Sequence, residues 1–408
     1  MTETPPSPRR RGWRILGLIV VGMVLLTIGG GFWWYYDDGD MEAVREQARQ
    51  QGRPLVWSDL KLEKAGAERR QLWQRATDLG KQVSAFQSKL GPDGKRRYKV
   101  WDAIPDEMRA HHAALDATVI AELASVLDQL GDQPLVLHDQ ISYSRLLPEI
   151  GQARALIRFM QERVILAEPI EVGVWGRRML AMCRRYAVDS LIQHMINSSL
   201  LDASLQGIAF RLEDLKQTDP TIAIAILDTI RPQHDQLLRA LDGEFVMMLD
   251  ALARPGSSHL ADGPDNWYMP MVIRSGRHGA LSAQLDAIQQ LRQLDAGAAL
   301  TWSRAMEARI NAARQGIPYP SLILQGFYMP AWGAVIGQSE RVRLRGRVLA
   351  AELQGTPWPV DAFDPTGATL RAIQRDGRVI AAYSVSTDGI DQNGDPKKDH
   401  VFPLYAKP

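Results

Sequence analysis

The sequence predicts a mainly α-helical protein in three parts: an N-terminal transmembrane helix, an extracytoplasmic helical bundle or hairpin array, and a small C-terminal β-hairpin module. Three observations predict it. One long uncharged run lies near the N-terminus, apolar residues recur at helical spacing through most of the remaining chain, and the composition changes after about Pro357. The implied organisation is a basic tail over 1–14, a span over 15–36, a helical domain over 37–355 and a tail module over 356–408.

From Ile15 to Tyr36 no residue is charged, and a helix rising about 1.5 Å per residue needs a run of that length to cross the hydrocarbon layer. Arg9, Arg10, Arg11 and Arg14 precede the run, whereas Asp37, Asp38, Asp40 and Glu42 come after it. Basic flanks stay in the cytoplasm, so the N-terminus is expected inside and the body outside, at a bacterial inner membrane. Trp13 at one edge and Phe32-Trp33-Trp34-Tyr35-Tyr36 at the other place amphipathic rings at both headgroup levels. A cleaved signal peptide shares the basic start and apolar run. However, Gly29-Gly30-Gly31-Phe32-Trp33-Trp34 lacks the small-x-small pattern that cleavage needs. The arginine run reads as a topology signal rather than as twin-arginine export.

Lys+Arg 48 against Asp+Glu 47 leaves no electrostatic footprint for nucleic acid. Cys183 is the single cysteine, which excludes an intramolecular disulfide. Its apolar helical surroundings predict a small buried hydrophobe rather than a reactive thiol.

Periodicity and turn chemistry predict helices over 66–91, 106–130, 148–167, 172–217, 219–253, 280–295, 297–314 and 338–354. Short breaks at Gly131, Pro169, Pro220 and Pro232 suit antiparallel hairpins, and no fixed repeat period is present. Arg254 to Gly279 is rich in Gly, Pro, Ser and Asp, which predicts a surface loop or an internal boundary. Between Arg314 and Glu340 a second uncharged stretch contains Pro318, Pro320 and Pro330. These prolines and the diluted hydrophobicity argue for core or interface over a second span at 317–337. If that stretch is exposed, Phe327, Tyr328, Met329 and Trp332 form a patch for an envelope protein partner.

The common zinc-helix, nucleophile-elbow, phosphate-loop and Ser-x-x-Lys signatures are absent. The eight histidines are scattered. His111-His112 is the only adjacent pair and reads as a solvated face, while His194, His234, Glu213, Asp214 and Glu244 show no spacing that would hold an acid–base pair. Catalysis is therefore not indicated. A site assembled from separate helices would leave no local motif.

In the tail, Leu370 to Arg375 and Val379 to Ser386 read as strands joined by an Asp376-Gly377 hairpin turn. Beyond them, Asp388, Asp391, Asn393 and Asp395 supply side-chain oxygens that could converge on Ca²⁺ if the backbone curls at Gly389 and Gly394. The same composition also forms solvated Asx turns without a metal, and Lys397 and Lys398 could neutralise the carboxylates. Pro396 and Phe402 exclude an EF-hand.

Asp361-Ala-Phe363-Asp364-Pro-Thr-Gly367, followed by Ala382-Tyr383-Ser384-Val385-Ser-Thr-Asp388-Gly389-Ile-Asp391-Gln-Asn-Gly394-Asp395, resembles the C-terminal segment of type II secretion major pseudopilins. It is also similar to the tail of uncharacterised bacterial proteins that join a membrane anchor and a helical domain to such a segment. The resemblance implies a calcium loop with Asp388, Asp391 and Asp395 as ligands. It covers only about the last fifty residues of the sequence. Ala362 stands where that pattern has Pro, Ser386 where it has Gly, and the N-terminus lacks the pilin processing site. The function these features imply is a non-enzymatic, membrane-anchored envelope scaffold or binding protein, associated with a secretion system. The alternative is a membrane-anchored hydrolase acting on a cell-wall or secreted substrate.

Overall fold

The computed structural model describes residues 39–60, 64–83, 106–136, 143–185, 188–253, 269–314, 321 and 330–404. Within them the chain is mainly helical, with one three-stranded antiparallel sheet at the C-terminal end. The helices are α1 (Gly39–Gln50), α2 (Ala67–Gln82), α3 (Asp106–Ala113), α4 (Ala117–Gln129), α5 (Tyr143–Leu166), α6 (Pro169–Arg185) and α7 (Leu191–Phe210). They continue as α8 (Leu212–Thr218), α9 (Ile222–Ile230), α10 (Gln233–Ala253), α11 (Met269–Leu291), α12 (Ala296–Arg314) and α13 (Pro330–Gln354). None of them is long and apolar enough to cross a membrane, and the expected span at Ile15–Tyr36 lies outside the described residues.

Local chemistry sets most boundaries. Asp116 caps α4 by accepting the Thr118 amide at 2.8 Å, and Ser190 caps α7 by accepting from Gln193 at 3.3 Å. The run expected over 106–130 is therefore two helices, and the run over 172–217 is three. Proline opens α6 and α13, where its missing N–H costs nothing. Gly131 and Gly355 adopt left-handed φ just past α4 and α13, as helix ends favour.

The expectation of a non-helical segment to Gly279 is corrected by α11, which starts at Met269 despite its glycines. Its reason is tertiary: α11 packs on α1, and Asp40 accepts from Arg274 Nη1 at 3.0 Å and from Arg277 Nε and Nη2 at 2.8 and 2.6 Å. Both guanidiniums are buried, so Asp40 ties the first described turn of the chain into the body.

Helix α7 is the axis of the fold. It packs on α5, α6, α10 and α13, and its buried residues surround it except along one narrow stripe through Ile192, Met195 and Ser199. The sheet docks on this body. Strand β1 (Arg371–Arg375) pairs with β2 (Arg378–Ser384) and β2 with β3 (His400–Pro403), with Ala382 opposite Ala372 and Phe402. Asp376 and Gly377 both have positive φ, as a two-residue hairpin with the strands' twist requires. Strand β3, absent from the sequence expectation, meets α7, and the Arg345 guanidinium of α13 lies 5.6 Å over the Phe402 ring. Ala381, Ala382, Tyr383 and Ser384 are consequently buried on both faces, where alternation alone predicts one.

Candidate functional site

In the oxygen-rich tail loop, Asp388 Oδ1 accepts the Ile390 amide at 3.0 Å and Oδ2 accepts Gln392 Nε2 at 2.8 Å. Asp391 Oδ1 accepts the Asn393 amide at 2.8 Å and the Tyr383 hydroxyl at 3.3 Å, and Asp395 Oδ1 accepts the Lys397 amide at 3.0 Å. Each carboxylate thus closes its own Asx turn, and Asn393 sits at left-handed φ. Among the described residues no group of three or more His, Cys, Asp or Glu side chains could hold a metal ion.

A cation does stand among tail carboxylates, and it belongs to the chain. Arg371 meets Asp364 Oδ2 at 2.6 Å, Asp391 Oδ2 at 3.0 Å and Asp361 Oδ2 at 3.9 Å. The Thr366 hydroxyl and then the Arg371 guanidinium hold Asp364 well below the usual carboxylate range. Buried Asp361 also accepts Ser384 Oγ at 2.8 Å and the Val385 amide at 3.1 Å, which joins the turn before the hairpin to β2.

Ser386, where the resembling tails carry glycine, has φ +61°. The left-handed turn is kept and the side chain bears its cost of roughly 1 kcal/mol. Ser386 Oγ lies 3.3 Å from His400 Nε2. The matched pair of substitutions separates strain from bonding: Ser386→Ala keeps the strain and loses the bond, whereas Ser386→Gly loses both. Denaturant melts should place the glycine variant above the alanine variant by about 1 kcal/mol, and equal midpoints would remove the strain argument.

Of the aromatic patch, Phe327, Tyr328 and Met329 lie outside the described residues. Trp332 is 2 % exposed inside the core, so its ring packs within the protein and is not offered to a partner. Pro330 starts a helix there, which turns Trp332, Val335 and Ile336 inward. His112, expected on a solvated face, is buried; its Nε2 lies 2.8 Å from Glu162 Oε2 and its ring stacks on Phe159 at 5.7 Å. Cys183 is buried beside Ser204, and burial pushes its thiol up to about 12, as an inert core residue requires.

A cavity of about 370 Å³, open to solvent, lies between the Gly52–Pro54 turn, Asp59, Leu60, Arg239 and Asp242. Gly52 ends α1 at φ +65°, and the Arg53 amide donates back to Ala48 at 2.8 Å, which aims the Arg53 side chain across the fold. Asp59 Oδ2 accepts the Leu55 and Val56 amides at 2.8 and 3.2 Å, fixing the short 3-10 turn Trp57–Leu60. From α10, Arg239 Nε donates to Asp189 Oδ1 at 3.1 Å, and Asp242 pairs with Arg292. Arg53 Nη1 stands 3.7 Å from Asp242 Oδ1. Burial raises the Asp242 carboxyl above its usual range, and burial and then Arg292 lower the Arg53 guanidinium. No sequence motif announces this site, since its two walls are far apart in the chain.

Comparison with protein-family models, with curated proteins and with solved structures finds no match for the chain.

Proposed function

We propose that the protein is a membrane-anchored envelope scaffold, a non-enzymatic binding protein held at the outer face of a bacterial inner membrane by residues 15–36. The observation that carries this reading is the asymmetry around the uncharged run, with four arginines before it and four acidic residues after it. The fold adds a mechanical argument. Asp40 comes within a few residues of the run's end and is clamped by two buried arginines of α11, so the first described turn of the chain is fixed to the helical body. A body whose first turn is held in this way suits presentation of a surface to another envelope component.

The pseudopilin-like tail supports the association with secretion only by likeness. Here it serves the chain as a docked cover on α7 and α13. Two carboxylates on the cavity wall, Asp59 and Asp242, are the observation on which the hydrolase alternative would draw. Each is engaged within the fold: Asp59 with backbone amides, Asp242 with Arg292.

A reporter active only outside the cytoplasm, fused after Asp40 and separately after Pro408, tests the topology. Signal from both fusions is the expected result. Signal after Asp40 alone would mean that 317–337 returns the chain across the membrane, and signal from neither would remove the anchor reading.

A further inference from the structure

We infer that the cavity between the Gly52–Leu60 segment and α10 binds a small zwitterion, a ligand of amino-acid size whose carboxylate meets Arg239 and whose ammonium meets Asp59. The inference does not depend on the scaffold reading. It rests on which charged groups around the cavity are already committed and which are not.

The inner groups are paired with one another, although Asp242 Oδ1 and Arg53 Nε have no hydrogen-bond partner among the described residues. Arg53 Nη2 donates to Gln289 Oε1 at 2.9 Å while Nη1 faces Asp242, whose other oxygen is held by Arg292. Asp189 is buried and accepts a hydrogen bond from Arg239 Nε. The outer groups keep spare capacity. Asp59 uses one oxygen for its two backbone amides, and Oδ1 has no hydrogen-bond partner among the described residues. Arg239 spends Nε on Asp189 and Nη2 on the Leu60 carbonyl at 3.5 Å, its side chain is 42 % exposed, and Nη1 has no partner among the described residues. At the exposed outer wall, one acceptor group and one donor group therefore keep spare capacity, both charged and of opposite sign.

The charge tally selects the ligand class. Arg53, Arg239 and Arg292 are balanced by Asp59, Asp189 and Asp242, so the site is neutral overall but divided in sign. A simple anion attracted by Arg239 would meet Asp59 and Asp242, and a simple cation would meet Arg53 and Arg239. A molecule carrying both charges satisfies both ends at once. The volume suits it, since about 370 Å³ holds an amino acid with accompanying water. Both walls are preorganised, Asp59 by its turn and Arg239 by Asp189, so little ordering cost falls on binding.

Isothermal titration of the full-length protein in detergent micelles tests this, using L-alanine as zwitterion, acetate as anion alone and methylammonium as cation alone. Saturable heat with alanine is expected, with acetate and methylammonium at least about tenfold weaker because each loses one charge-assisted contact. Asp59→Asn retains an acceptor for the Leu55 and Val56 amides, so it should leave the unliganded melting temperature unchanged and weaken alanine by about tenfold or more. No heat with alanine overturns the proposal. So does acetate or methylammonium binding as tightly as alanine, or alanine binding undiminished in both Asp59→Asn and Arg239→Gln. The reporter fusions are read independently, so failure of one proposal is not failure of the other.

Discussion

Replacing Gly243 by alanine is expected to destabilise the protein by at least about 3 kcal/mol, although it adds a single methyl group and raises intrinsic helix propensity. Gly243 lies in α10, and an added Cβ there would overlap the backbone carbonyl oxygen of Asp189, with the Trp57 ring 3.6 Å away. A flexible side chain could swing aside. A carbonyl just before the Ser190 cap of α7 cannot move without dragging the entry of the central helix. The same shift would part Asp189 from Arg239, one turn earlier on α10, and so open the cavity wall. The control is Gly151→Ala in α5, where no atom lies within 4 Å of the added Cβ and a gain of about 0.5–1 kcal/mol is expected. Denaturant unfolding of the two variants beside the parent decides it. A Gly243→Ala midpoint equal to the parent's would show that the α7–α10 contact is loose.

Local chemistry made the hairpin legible. Asp376 and Gly377 specify their turn within two residues, and the flanking β-branched and aromatic side chains do the rest. Helix α11 was illegible for the opposite reason. Its glycines and Pro270 argue against a helix locally, and the partner that holds it, Asp40, lies 234 and 237 positions from the arginines it binds. The merged run over 172–217 failed at the Ser190 cap and again at Arg211, because the apolar spacing continues across both breaks. Site residues divide in the same way. The oxygen-rich composition of Asp388 to Asp399 was plain, but composition could not say that Arg371, back on β1, would stand among Asp361, Asp364 and Asp391. The cavity left no trace at all, since Asp59 and Arg239 line it together only because α10 packs on the Trp57–Leu60 turn.

Acid should weaken the protein, and His194→Leu should remove a large part of that weakness. His194 lies fully buried in α7, and neither ring nitrogen has a hydrogen-bonding partner among the described residues. Burial alone pushes its pKa down from 6.5 to about 4. The folded state therefore holds the neutral ring while the unfolded chain takes a proton at its ordinary pKa. Stability from this group is complete above 6.5 and is lost as pH falls toward 4, by about 3 kcal/mol in all. His400 adds loss in the same window, lowered to about 4 by burial, then by Arg341 and Arg345, against the weaker pull of Asp202 and Asp388. Asp189, Asp242, Glu244 and Glu340 act oppositely. Burial raises each of them, so each gains relative stability as pH drops through its folded pKa. The parent's profile is the sum of these terms, and only the difference between parent and variant isolates His194. At pH 7 the leucine variant should be at least as stable as the parent, because it removes a buried ring with two unpaired polar atoms at a cost in shape smaller than that gain. Denaturant midpoints measured from pH 7 to pH 4.5 should then diverge steadily in favour of leucine. Parallel profiles would mean that His194 is hydrated or protonated in the folded protein, and that the core around α7 is not dry.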